Sequence, residues 1–222
     1  MKYFLTLTLI TLTAIAAHAQ AKTTTGADYD MAMYNAVRDT NAAYPFIFTV
    51  TTDNYEKGKI ASSERNVTER QTGGVARETR TLTTGKKTLR SYSIMAGYDN
   101  QTYCSKDGVT WTGPQENICP GHGAVDKRLD WIIRDPESAE YSVVEDTRDG
   151  DSVKIYRKLA IYAPSQPDGP KTFVEEIATI DSRGFFLTVT THEGILTPRT
   201  TTLFRRQSWD HKTKFKPVVA PK

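Results

Sequence analysis

The sequence predicts a mainly β (α+β) protein, a single strongly curved antiparallel sheet of about ten strands with two helices over its concave face. Three observations predict it. Roughly one residue in seven is threonine, and with Val, Ile, Tyr and Phe this composition fits a pleated, half-buried surface. From Phe46 onward the apolar period is two. Short turn compositions separate the alternating runs, so neighbouring strands pair antiparallel as a meander. With 38% apolar residues and a net charge of +3 over 222 residues, the chain is an ordinary globular one. That near-balance gives no electrostatic footprint for nucleic acid.

The first nineteen residues read as a signal peptide. Met1-Lys2 is a short positive start, Leu5 to Ala16 is an apolar run, and Ala17-His18-Ala19 is an A-x-A cleavage site. A run of about a dozen residues is too short to span a bilayer, which needs about 20. The mature chain is therefore expected in the periplasm or secreted, after cleavage near Ala19. Residues 20–27 are a small, polar, flexible leader, residues 28–210 form one domain, and residues 211–222 form a flexible basic tail.

Asp28 is the predicted N-cap of a first helix ending near Asn41, with Met31, Met33, Tyr34, Val37 and Arg38 at loose helical spacing as its packing face. Phe46, Phe48 and Val50 then share one strand face. Two polar strands follow, from Gly58 to Thr68 and from Val75 to Thr84, and then Lys87 to Ala96, in which Tyr92 and Ile94 share a face. Thr102-Tyr103-Cys104 and Val109-Thr110-Trp111 flank an Asp107-Gly108 hairpin turn. Ala124 to Arg134 carries Val125, Leu129, Ile132 and Ile133 at helical spacing, stopped by Asp135-Pro136. Five strands follow, from Tyr141 to Asp146, Ser152 to Tyr162, Thr172 to Asp181, Phe185 to His192 and Thr200 to Trp209. A sheet of this size curls rather than staying flat, and two helices have too little surface to fill it. An apolar hollow is the consequence, with Phe46, Phe48, Val50, Tyr92, Ile94, Trp111 and Trp131 as its candidate lining.

Cys104 and Cys119 read as a structural disulfide in an oxidising compartment, closing a loop worth roughly 3 kcal/mol in the chain-entropy model. A redox pair wants C-x-x-C spacing, and a metal site wants more ligands than His122 alone, so no metal and no cofactor are expected. The chain has no G-x-S-x-G, H-E-x-x-H or Walker pattern, and the histidines beyond the leader lie in three different segments, so a non-enzymatic role is expected. Glu175 and Glu176 are adjacent on one strand and point to opposite faces. Lys86, Lys87 and Arg90, Arg205-Arg206, and Lys212, Lys214 and Lys216 are the densest basic groups. They are read as solvated strand edges or as contacts to anionic lipid headgroups.

The chain resembles the periplasmic lipoprotein-carrier (LolA/LolB-like) half-barrel family. The resemblance lies in the leader and helix running into Tyr44-Pro45-Phe46-Ile47-Phe48, in the hairpin from Asn100-Gln101-Thr102-Tyr103 to Asp107-Gly108-Val109-Thr110-Trp111, and in Ile180-Asp181-Ser182-Arg183-Gly184. It implies a half-barrel that holds a lipid-like ligand or a lipoprotein acyl chain. The cysteine pair is not a general feature of that family, and no arginine here matches the residue that closes the carrier's cavity. The alternative is an envelope sensor or adaptor on the same scaffold with no carried ligand. Ligand identity and oligomeric state are not set by the sequence.

Overall fold

The computed structural model describes residues 21–96, 101–115, 119, 136–164, 166 and 168–221. In chain order its elements are β1 (Lys22–Thr23), α1 (Gly26–Ala42), β2 (Phe46–Glu56), β3 (Lys59–Arg70), β4 (Ala76–Thr84), β5 (Lys87–Ala96), β6 (Gln101–Ser105), β7 (Thr112–Gln115), β8 (Ser138–Arg148), β9 (Asp151–Tyr162), β10 (Thr172–Asp181), β11 (Phe186–Ile195) and β12 (Thr200–Asp210). A single 3-10 turn, Thr72–Gly74, joins β3 to β4. The second helix expected at 124–134, and with it Trp131, lies outside the described residues.

All twelve strands form one curved antiparallel sheet that is not closed, in the order β1-β8-β9-β10-β11-β12-β2-β3-β4-β5-β6-β7. The fold class matches the sequence reading, with twelve strands in place of about ten. Two meanders, β2 to β7 and β8 to β12, are joined where β12 pairs with β2 from Leu203 opposite Asn54 to Asp210 opposite Ile47. This junction places the first long strand and the last one at the centre of the sheet. The additional edge strand β1 contributes two pairs to β8, Lys22 with Val143 and Thr23 with Ser142. At the other end, β7 begins at Thr112, after the Val109-Thr110-Trp111 segment expected to be a strand.

Helix α1 starts earlier than predicted. Thr25, not Asp28, is the N-cap: its Oγ1 accepts from the Asp28 amide at 3.1 Å and donates to Asp28 Oδ2 at 2.7 Å. This is the reciprocal logic of a capping box, with an aspartate at the third helical position. The buried side of the helix is Tyr29, Ala36 and Thr40. Ala36 packs with Ala178, Ile180, Phe186 and Val189, against which Met33, Tyr156 and Trp209 also lie. The face expected to pack is largely outside: Met31 is 61%, Tyr34 67% and Val37 49% exposed. Two polar bonds, one part-buried and one buried, fix the helix ends. The Tyr29 hydroxyl donates to Glu176 on β10, and the Phe186 amide donates to Thr40 Oγ1 at 2.8 Å. Burial and the neighbouring Glu176 carboxylate hold the Tyr29 hydroxyl protonated, far above the usual tyrosine range.

Candidate functional site

Cross-strand partners share a sheet face, so the register sorts the side chains. The helix-bearing face carries Tyr156, Ala178, Val189, Trp209, Phe48 and Val50 across β9 to β2. It continues as Thr68 and Arg70 on β3, Ala76, Glu78 and Arg80 on β4, and Ser91, Ser93 and Met95 on β5. This one face is thus apolar under α1 and polar beyond β2. On the polar side Arg80 grips Glu64 through two bonds of 2.9 Å, and Asn66 donates to the same carboxylate at 3.0 Å.

The sequence-predicted lining residues divide between the two faces. Phe46, Phe48 and Val50 share the parity of the helix-bearing face. Phe46 is 2% exposed and sits between the rings of Tyr44 and His211, each 5.3 Å away, and Phe48 lies 4.8 Å from Trp209. Tyr92 and Ile94 pair with Thr79 and Arg77 and so lie on the opposite face. Trp111 is half-buried between β6 and β7. The adjacent glutamates take opposite faces as expected, but each has partners: Glu176 accepts from Tyr29, and Glu175 accepts from Arg157 at 2.7 Å and Arg199 at 2.9 Å.

Where β6 ends and β5 continues alone, the chain forms an open cavity of about 370 Å³ lined by Ser91, Tyr92, Cys104, Lys106, Thr112 and Cys119 among others. Cys104 and Cys119 are joined by a disulfide with a Cα–Cα distance of 5.5 Å, and both are buried. Of the predicted lining residues that are described, Tyr92 alone borders this cavity. Apart from Lys106 and Asp107 of the turn, the others along it are small, and serine and threonine on neighbouring strands leave space that a larger side chain would fill. That signal was present as Ser91-Tyr92-Ser93, which alternates small and large.

The rim is rigid. Asp107 Oδ1 accepts from the Val109 amide, the Thr110 amide and Ser105 Oγ at 2.8, 2.8 and 2.9 Å, and Ser105 Oγ accepts from the Gly108 amide at 2.8 Å. Gly108 has φ +78°, a left-handed backbone angle that favours glycine there. The backbone bonds hold the Asp107 carboxyl well below the usual carboxylate range. A depressed folded-state pKa contributes stability above the unfolded value of about 3.9 and loses it as pH falls through the folded value. The turn is therefore expected to stay intact through the ordinary carboxylate range. Amide shifts of Val109 and Thr110 that titrate near pH 4 would contradict this.

Among the described residues no group of three or more His, Cys, Asp and Glu side chains is placed to hold a metal ion, and no helix is long and apolar enough to cross a membrane. No family model and no curated protein sequence matches the chain. Among solved structures, LprF from Mycobacterium bovis is similar over 87% of this chain and 97% of its own, with 11% identity and a TM-score of 0.41.

Proposed function

We propose that the protein is an exported, non-enzymatic binding protein that holds a lipid-like ligand or the acyl chain of a lipoprotein against the open sheet. One observation carries this reading. A cavity of about 370 Å³, within the roughly 300–1,000 Å³ range of small-molecule sites, lies beside the part of the sheet face that α1 leaves uncovered. Its mouth is fixed by the disulfide and the Asp107 turn, so little ordering is left to oppose binding. Each methylene that enters contributes about 0.8 kcal/mol. Arg90, exposed on β5 next to the cavity-lining Ser91, suits contact with anionic headgroups at a membrane surface.

The test is thermal unfolding of the chain with straight-chain alkanols and fatty acids of increasing length. The midpoint is expected to climb with each added methylene and then level off once the cavity is full. Ser91→Phe, which fills the cavity from one wall, is expected to flatten the series while leaving the ligand-free midpoint close to wild type. A midpoint indifferent to chain length overturns the reading. An interaction module without a carried ligand is then favoured by the outward Met31, Tyr34 and Val37 of α1.

A further inference from the structure

A second cavity, of about 180 Å³, lies on the helix-bearing face and is lined by Tyr44, Thr68, Arg70, Gln71, Glu78 and Ser93 among others. Arg70 Nε is completely buried there without a hydrogen-bond partner, and no ion pair to its guanidinium forms among the described residues. The other donors around the space are hydroxyls, on Tyr44, Thr68 and Ser93. The Gln71 amide is taken by the chain's C-terminal segment, donating to Val218 O at 2.8 Å. The single carboxylate, Glu78, is already engaged by another group. A guanidinium cannot shed its charge at any working pH, and leaving a buried donor unmet is costly. A ligand oxygen that meets it recovers that cost.

The two cavities are neighbours. Ser93 lines the small one, and its direct cross-strand partner Cys104 lines the large one. Ser91, also on the large cavity, lies two residues along the same face of β5. From β3, which carries Arg70, to β6, which carries the disulfide, is three strand spacings, roughly 14 Å.

We infer that the Arg70 cavity is an anion subsite, taking a carboxylate or phosphate group, and that the ligand of the larger cavity is an anionic amphiphile with its head on Arg70. This rests on the binding reading above for the tail, and on Arg70 alone for the head. The guanidinium and the three hydroxyls offer donors to several oxygens at once, and a paired N–H fork fits carboxylate and phosphate.

Calorimetric titration of the full chain with dodecanoate, dodecyl phosphate, dodecanol and inorganic phosphate separates the two parts. Dodecanoate and dodecyl phosphate are expected to bind at least about tenfold tighter than dodecanol. In Arg70→Met that preference is expected to vanish while dodecanol affinity stays the same, which also reports that the fold is intact. Arg70→Gln keeps a polar head at the same place and serves if the methionine variant does not fold. Inorganic phosphate that binds alone, and is lost in either variant, upholds the anion subsite and identifies a free anion as its source, even if dodecanol fails to bind and the tail reading falls. Equal affinity for dodecanoate and dodecanol in the wild type, with no phosphate binding, overturns the inference. So does an anion preference that survives both substitutions.

Discussion

Phe186→Ala is expected to lower the unfolding free energy by about 3–5 kcal/mol, the usual range for deleting a buried phenyl ring. Phe186 is 4% exposed and stacks on Trp209 with ring centroids 5.1 Å apart. It fills the space between Ala36 of α1 and Ala178, Ile180 and Val189 of the sheet. Ala36 and Ala178 cannot extend into the hole, so only Ile180, Val189 and the partly buried Met33, Tyr156 and Trp209 can relax toward it. The Phe186 amide also donates to Thr40, so relaxation around the cavity strains a buried polar bond at the helix C-terminus. Against a typical total of 5–15 kcal/mol the variant is marginal. Urea unfolding of Phe186→Ala beside Met31→Ala checks this, since Met31 is 61% exposed and its truncation is expected to stay within about 0.5 kcal/mol. Equal losses in the two variants would show that α1 packs through its other face.

That contrast also marks how far the sequence could be read. Period-two alternation in Phe46, Phe48 and Val50 located β2 and its faces, because the side-chain period of a strand is geometric. The helix was placed, but its buried side was not. Met31, Tyr34 and Val37 are the larger apolar residues, yet the sheet under α1 already supplies Phe186, Tyr156 and Trp209. What fits against those rings is an alanine, a threonine that bonds the Phe186 amide, and a tyrosine that reaches Glu176. Volume complementarity chose the face, and hydrophobicity alone does not contain it.

The candidate site was legible in the same uneven way. Tyr92 and Ile94 were assigned to the same hollow as Phe46 and Phe48, and the register puts them on the other face. Each strand's own alternation is readable, but the relative phase of two strands depends on turns, and a slip of one residue exchanges the faces. Pairing of β12 with β2 joins residues about 150 apart in sequence, and no local pattern announces it. The cavities lie where small polar residues stand, at Ser91, Ser93, Thr68 and Thr112, and a search for large apolar residues passes over such places.

Replacing Cys104 and Cys119 together by serine is expected to cost about 3 kcal/mol, since the bridge closes a loop of sequence separation 15. For a domain of this size that corresponds to a fall in midpoint on the order of 6–12 °C. The loss should be unevenly distributed. Edge strand β7 has four residues and is paired only with β6, at Thr102 with Gln115 and Cys104 with Thr112. The centre of the sheet, from β9 through β12 to β2, touches neither cysteine. Amide exchange is therefore expected to accelerate in β6, β7 and the Ser105–Thr110 turn while the Phe186 cluster keeps its protection, the pattern of local opening. Binding responds differently from stability. Both cysteines line the large cavity, so alkanol affinity should drop in the double variant even at temperatures where the protein remains folded. The distant Phe186→Ala substitution lowers stability at least as much while leaving both cavity walls in place. Alkanol affinity measured in the two variants at low temperature thus separates a ligand site at the disulfide from a general effect of a weakened fold. Equal retention of affinity in both would place the ligand elsewhere.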